Sequence, residues 1–148
     1  MTNSITFDTN LLIYFVDSVD PVKHHIAKRI VDSCYYARSP LPLQCLGEFY
    51  RAATRKKFLT AAAAAQIVTQ AQAAMLIVPS STEDLIEAMQ VYQQHNVPFW
   101  DAMLCATARR AGCTLLLSED LQDGREINGL TIRNPFKLSI AELEKLLA

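Results

Sequence analysis

No apolar run in this 148-residue chain reaches the ~20 residues that cross a bilayer. The start, Met1-Thr2-Asn3-Ser4, lacks the basic and apolar regions of a signal peptide. The four cysteines (Cys34, Cys45, Cys105 and Cys113) form no C-x-x-C pair, and each sits in an apolar segment, so they read as reduced, buried thiols. Net charge is also scarce, at −1. That excludes a broad electropositive surface, and any nucleic-acid partner must be held by local basic patches. Internal repeats, low-complexity tracts and linkers are missing as well. The expectation is a bacterial-style, cytoplasmic protein without a membrane segment, one globular domain over residues 1–148, whose 51% hydrophobic content is ample for a core.

What is present begins with Ile5-Thr6-Phe7-Asp8-Thr9-Asn10-Leu11-Leu12. A short apolar, β-branched run ends in an acid, a hydroxyl and an amide, and an apolar helical pattern then resumes. A buried strand delivering polar side chains to the edge of a parallel sheet has this form. A first short helix follows, with Thr9 or Asn10 near its cap. Asp20-Pro21 starts a second helix running to about Tyr36, with His24 and His25 on its polar side. Those two rings point about 100° apart and do not share a metal. Pro40 and Pro42 punctuate the chain before a helix from about Leu43 to Lys57, whose expected core stripe is Leu43, Leu46, Tyr50 and Ala53. Thr60 caps an alanine-rich helix, and Leu76-Ile77-Val78 reads as a short buried strand.

Ser81-Thr82-Glu83-Asp84 opens a helix to about His95, with acids favoured by the helix dipole in its first turn. Phe99-Trp100-Asp101 starts another, apolar nearly all round and hence buried, which closes at Gly112. Thr114-Leu115-Leu116-Leu117 is a buried strand ending in Ser118-Glu119-Asp120. A last strand spans Leu130 to Arg133, and Ser139 with Glu142 forms a capping box for the C-terminal helix. Alternating strands and helices imply a parallel sheet covered on both faces.

Four acids stand apart from the solvated ones. Asp8 and Asp120 each follow a buried strand at one carboxyl edge, Asp101 opens a buried helix, and Glu48 lies in a helix that packs on the sheet. Gathered carboxylates repel one another, and burying them is costly unless a cation neutralises them. Mg²⁺ or Mn²⁺ suits such a site, with one or two direct carboxylates, retained waters and a substrate phosphate. Each acid has a plainer role open to it: Asp8 as a helix cap, Glu48 as partner of Arg51 or Arg55, Asp101 as a first-turn dipole residue, Asp120 as a turn residue. Their joint placement favours one site over four coincidences. Arg51 and Arg55 share the Glu48 side of their helix, where guanidinium groups suit phosphate contacts, and Lys56-Lys57 extend the patch.

With these pieces in order, the chain resembles PIN-domain proteins, specifically the toxin ribonucleases of VapC type. The pieces are Phe7-Asp8-Thr9-Asn10, Glu48 in Leu46-Gly47-Glu48-Phe49, Trp100-Asp101-Ala102, and Ser118-Glu119-Asp120-Leu121-Gln122-Asp123-Gly124. The resemblance implies an α/β fold, a three-layer α/β/α sandwich with a mostly parallel central sheet. It also implies Mg²⁺- or Mn²⁺-dependent endonuclease cleavage of RNA, a small antitoxin partner that blocks the site, and a homodimer. Carried over, Asp8, Glu48, Asp101 and Asp120 form the catalytic acids. Asp8 and Asp101 are the leading direct metal ligands, with Asp120 beside them. Thr9 or Asn10, with Ser118, orient carboxylates and waters. Asp123 is either a further acid or the turn residue before Gly124, and the turn reading ranks higher.

Other functions compete. An aspartyl phosphatase usually has a second acid two residues after its nucleophile, where this chain has Asn10, and a phospho-receiver lacks its acid pair here. A non-catalytic PIN-like module that binds RNA or protein is weakened by retention of all four acids, which repel one another without a cation.

Overall fold

The structure is a computed structural model that describes residues 4–148. Residues 1–3, on which the reading of the chain's start partly rests, lie outside the described residues. The central sheet has the strand order β1-β4-β6-β5, built from β1 Ile5–Phe7, β4 Leu115–Leu117, β6 Leu130–Arg133 and β5 Glu126–Ile127. β1 pairs with β4 and β4 with β6, both in parallel, with Phe7 opposite Leu117 and Leu117 opposite Arg133. β1 and β4 are buried along their whole length, as strands covered on both faces must be. Helices supply the covering layers: α1 Thr9–Val16, α2 Pro21–Ala37, α3 Leu43–Arg55, α4 Ala61–Ala74, α5 Thr82–His95, α6 Phe99–Arg110 and α7 Ile140–Leu147. The three-layer α/β/α arrangement with a mostly parallel sheet is therefore the observed fold. The core joins Phe7, Leu116 and Leu117 to Leu11, Leu12 and Phe49, all fully buried.

Several local expectations are corrected. Pro40–Pro42 is a strand, β2, not mere punctuation, and it pairs in parallel with β3 Leu76–Val78. β2 lies beside β1 without joining its ladder. The Ser39 carbonyl accepts from Leu76 N–H at 3.1 Å, so positions 39 and 41 address β3 while 40 and 42 address the other side. Both of those are proline and have no N–H to donate, so the two sheets stay unbonded. β3 is an edge strand, with Leu76 54% exposed, where a buried strand was expected. β5 was not anticipated. It forms a hairpin with β6 through Asn128-Gly129, both at positive φ (50° and 89°), the turn chemistry that matches the twist of paired strands.

The phase of α3 also differs. Its buried residues are Cys45, Leu46, Phe49 and Ala53, while Leu43 and Tyr50 face solvent. Asp84 exceeds its expected dipole role. It completes a capping box with Ser81, is 2% exposed, accepts from Thr107 at 3.0 Å, and pairs with Arg110 at 2.9 Å, fastening α5 to α6. Burial opposes its charge, but Arg110, the Ser81 N–H and Thr107 outweigh that and hold its carboxyl below the usual value. All four cysteines are free and buried, as expected, and burial pushes the Cys34 thiol up to about 12. Among the described residues no helix is long and apolar enough to cross a membrane.

Candidate active site

The end of β1 sets the geometry. Asp8 N–H continues the ladder to the Leu117 carbonyl at 3.1 Å, which fixes Asp8 beside the end of β4. The chain then turns into α1 with Asp8 itself as N-cap, in place of Thr9 or Asn10. One carboxylate oxygen, Oδ1, accepts from Asn10 N–H at 3.1 Å, and the other accepts from the Ser118 hydroxyl. The helix cap and the link to Ser118 thus belong to the same side chain, on different oxygens. Ser118 Oγ in turn accepts the Asp120 N–H at 3.2 Å, so one buried hydroxyl at the end of β4 links two of the acids.

Each polar helper expected from the sequence holds one acid. Asn10 Nδ2 donates to Asp120 Oδ2 at 2.7 Å, and Thr9 Oγ1 donates to Glu48 Oε2 at 3.3 Å. Glu48 has a second donor that sequence reasoning missed, Gln44 Nε2 at 2.5 Å, and this amide nitrogen also donates to the Trp100 carbonyl at 2.9 Å. Gln44 therefore ties α3 to the first turn of α6. Its position four residues before Glu48, on the same helical face, was the available signal. Glu48 makes no ion pair with Arg51 or Arg55, so its plainer role is not the one it plays.

Asp101 stands in the first turn of α6, half-buried, and among the described residues nothing donates a hydrogen bond to its carboxylate. Burial, and then the negative charges of Asp120 and Glu48, hold its carboxyl above the usual value. Asp8 is displaced further. Burial, reinforced by Asp120 and Asp101 against the help of Ser118 and Asn10, pushes it from 3.8 to about 7. Asp8, Glu48, Asp101 and Asp120 line one cleft of about 190 Å³, floored by Ala52 and Leu104. A groove of about 430 Å³ lined by Arg51, Arg55 and Lys56 shares Glu48 and Ala52 with it, so the basic groove adjoins the acidic cleft. A hollow of about 440 Å³ at the start of β1, between Ser4, Tyr36, Arg38 and Leu147, has no acidic side chain in its wall and lies away from this chemistry.

The donor set suits a hard divalent cation: carboxylate oxygens, steadied by amide and hydroxyl groups, with no histidine or thiol in the cleft. Among the described residues no three acidic, histidine or cysteine side chains close a metal cage by themselves. Mg²⁺ needs no such cage, since it keeps several waters and takes one or two carboxylates together with a substrate phosphate. The residues fit that kind of site.

Two neighbouring acids fall outside it. Asp123 accepts from Arg133 Nε at 3.1 Å and from Asn134 N–H at 2.8 Å, a loop-fastening role that favours the turn reading. Glu119 points away to Lys23 Nζ and the Tyr14 hydroxyl, both at 2.8 Å, and Lys23 also lies over the Tyr14 and Phe136 rings. This clamp holds the loop that presents Ser118 and Asp120. Lys23→Met is expected to cost about 1 kcal/mol in urea unfolding and to speed amide hydrogen exchange at Asp120. Exchange unchanged at that amide contradicts the clamp.

Comparison with known proteins bears on the fold. The family described as PIN domain matches residues 5–123. A chain of a toxin–antitoxin complex from Klebsiella pneumoniae superposes with a TM-score of 0.66 at 20% identity, covering 91% of this chain and 99% of that one. VapC20 of Mycobacterium tuberculosis, described as a sarcin–ricin loop cleaving toxin, superposes with a TM-score of 0.61 at 22% identity, covering 79% and 90%. No curated protein matches the sequence. At these identities the structural likenesses establish the fold.

Proposed function

The chain belongs to the PIN domain family, and from that premise we propose that it is a divalent-metal-dependent endoribonuclease, the toxin of a toxin–antitoxin pair. One observation carries the reading: four carboxylates converge on one cleft with no basic side chain in its lining, beside a basic groove. Kinship in fold with a chain of a toxin–antitoxin complex and with an RNA-cleaving toxin supports the biological role. The proposal extends to one nuclease domain over the whole chain, a small antitoxin that blocks the cleft, a homodimer, and action in the cytoplasm.

Within this reading Asp8 and Asp101 hold the cation, Mg²⁺ or Mn²⁺, with Asp120 kept alongside by Asn10. When bound, the cation neutralises charge on the phosphodiester and makes water a better nucleophile. Glu48, gripped by Thr9 and Gln44 at the junction with the groove, orients the attacking water and accepts its proton. Arg51 and Arg55 hold phosphates of the strand without reading its bases. Arg51→Ala and Arg55→Ala are each expected to weaken RNA binding similarly across sequences and to lower the slope of log K against log salt by about 1. A slope that stays put removes that arginine from the interface.

The test of the function is direct. Metal-free protein is mixed with RNA, and Mg²⁺ or Mn²⁺ is added. Cleavage that starts with the cation and stops with chelator is the expected result. RNA bound but left uncut with either cation makes the protein a binding module and overturns the enzymatic reading.

A further inference from the structure

Gln44, Glu48, Arg51 and Arg55 fall on one stripe of α3, because residues three and four apart share a helical face. The stripe runs about 16 Å along the helix axis at 1.5 Å per residue. Its middle is the acidic cleft and its later end is the basic groove. The earlier end meets Trp100: the Gln44 amide that donates to Glu48 also donates to the Trp100 carbonyl, so a single amide group separates that carbonyl from the Glu48 carboxylate.

Trp100 is the chain's only tryptophan, and it is 65% exposed. The rest of α6 from Ala102 to Ala108 is buried, so the first turn puts its largest apolar side chain in water beside a site residue, Asp101. The indole is also braced. Phe99 meets it edge to face, with ring centroids 5.0 Å apart and planes at 73°, while its backbone is tethered by Gln44. A fixed, exposed aromatic face at one end of a track whose other end holds phosphates is how single strands are gripped, by stacking at the bases and by charge at the backbone. Tyr36 and Tyr92 are exposed too, but neither adjoins one of the four acids in the chain, whereas Trp100 directly precedes Asp101 and shares the Gln44 amide with Glu48.

We propose that Trp100 is a stacking platform for a nucleobase of a single-stranded RNA segment, adjoining the phosphate held in the acidic cleft. This rests on the nuclease reading and adds to it a base-binding residue outside the acidic cleft, one that needs an unpaired segment whose bases are free to leave the helix. The platform is indifferent to sequence, because every base offers a π-face. Any selectivity it confers is for unpaired over paired RNA.

The single tryptophan makes the test direct, since all indole emission comes from Trp100. The Asp8→Asn protein, which keeps bound RNA intact, is titrated without metal at low salt. The two probes are a single-stranded oligoadenylate and an abasic ribose-phosphate oligomer of equal length, and binding is followed separately by anisotropy of an end label. Oligoadenylate is expected to quench the emission substantially and the abasic oligomer to leave it unmoved. Trp100→Ala is expected to weaken oligoadenylate binding about tenfold, within the range of one stacked base, with the salt slope unchanged. Trp100→Phe, which keeps an aromatic face, is expected to stay within about threefold of the parent, which separates stacking from a folding defect. RNA that binds without moving the emission, or Trp100→Ala binding as tightly as its parent, overturns the platform while the nuclease reading stands and assigns the exposed indole to a protein partner. Failure of every variant to bind RNA, together with a parent protein that leaves RNA uncut in Mg²⁺ or Mn²⁺, overturns the nuclease reading as well.

Discussion

Replacing Asp8 by Asn is expected to lower kcat/KM for RNA cleavage at least about a thousandfold, the scale on which loss of a central charged group acts, with the fold retained. Asn keeps the shape and can still accept at Oδ1 from the Asn10 N–H, so the cap of α1 survives. What disappears is the negative charge at the point where β1, β4 and α1 converge. Asp101→Asn belongs to the same class and is structurally cleaner, because no hydrogen bond to the Asp101 carboxylate is there to be lost among the described residues. Single-turnover cleavage with Mn²⁺, set against circular dichroism of each variant, checks both. A folded Asp8→Asn protein that cuts RNA at the parental rate sinks the site assignment.

The four acids were legible in the sequence because of where they stand. Asp8 and Asp120 follow the runs Ile5-Thr6-Phe7 and Leu115-Leu116-Leu117, and continuous apolar runs of that kind are what parallel strands buried on both faces require. Their shared edge then followed from topology, and Asp101 announced itself as an acid in a helix otherwise apolar all round. The helpers were legible as a group only. Thr9, Asn10 and Ser118 were expected to orient acids, but the pairing of Thr9 with Glu48, Asn10 with Asp120 and Ser118 with Asp8 is set by side-chain directions across 39 and 110 residues of sequence.

Gln44 was missed because a lone Gln on a helix is ordinarily solvated, and its second partner is a carbonyl 56 residues away. Asp84 was underrated for a similar reason, since its ion pair with Arg110 spans 26 residues and no local pattern encodes it. β2 escaped because proline usually ends regular structure, and here an unbonded side of the strand tolerates it. The β5–β6 hairpin was readable, with Asn128-Gly129 between two short β segments, but a two-residue strand carries almost no periodicity of its own. The stripe of α3 was assigned a wrong phase because Leu43 and Tyr50 are apolar enough to pass for core, while the buried positions include Cys45.

The stability of the metal-free protein is expected to fall as pH rises towards 8, and a divalent cation is expected to reverse that fall. The sign follows from Asp8. Its carboxyl ionises at 3.8 when unfolded and at about 7 when folded. A raised folded value means that the folded state binds the proton more tightly. The resulting stabilisation is complete below 3.8, shrinks as pH rises through the interval, and is gone above about 7. The whole interval corresponds to about 4 kcal/mol at 1.36 kcal/mol per pH unit, an upper figure because Asp8 is only half-buried and keeps some water. Asp101, also raised by burial and by its acidic neighbours, pushes the same way. Mg²⁺ or Mn²⁺ binds the ionised form and so competes with the proton, stabilising the folded state most where the metal-free protein is weakest. Urea titrations at pH 5.5 and 8, with chelator and with Mn²⁺, measure all of this. In Asp8→Asn the midpoint with chelator is expected to change far less between the two pH values, and above pH 7 this inactive variant is expected to be more stable than the parent. A parent protein with equal midpoints at both pH values in chelator, or no rise with Mn²⁺ at pH 8, contradicts the account of Asp8 as an acid held at an energetic cost for a cation.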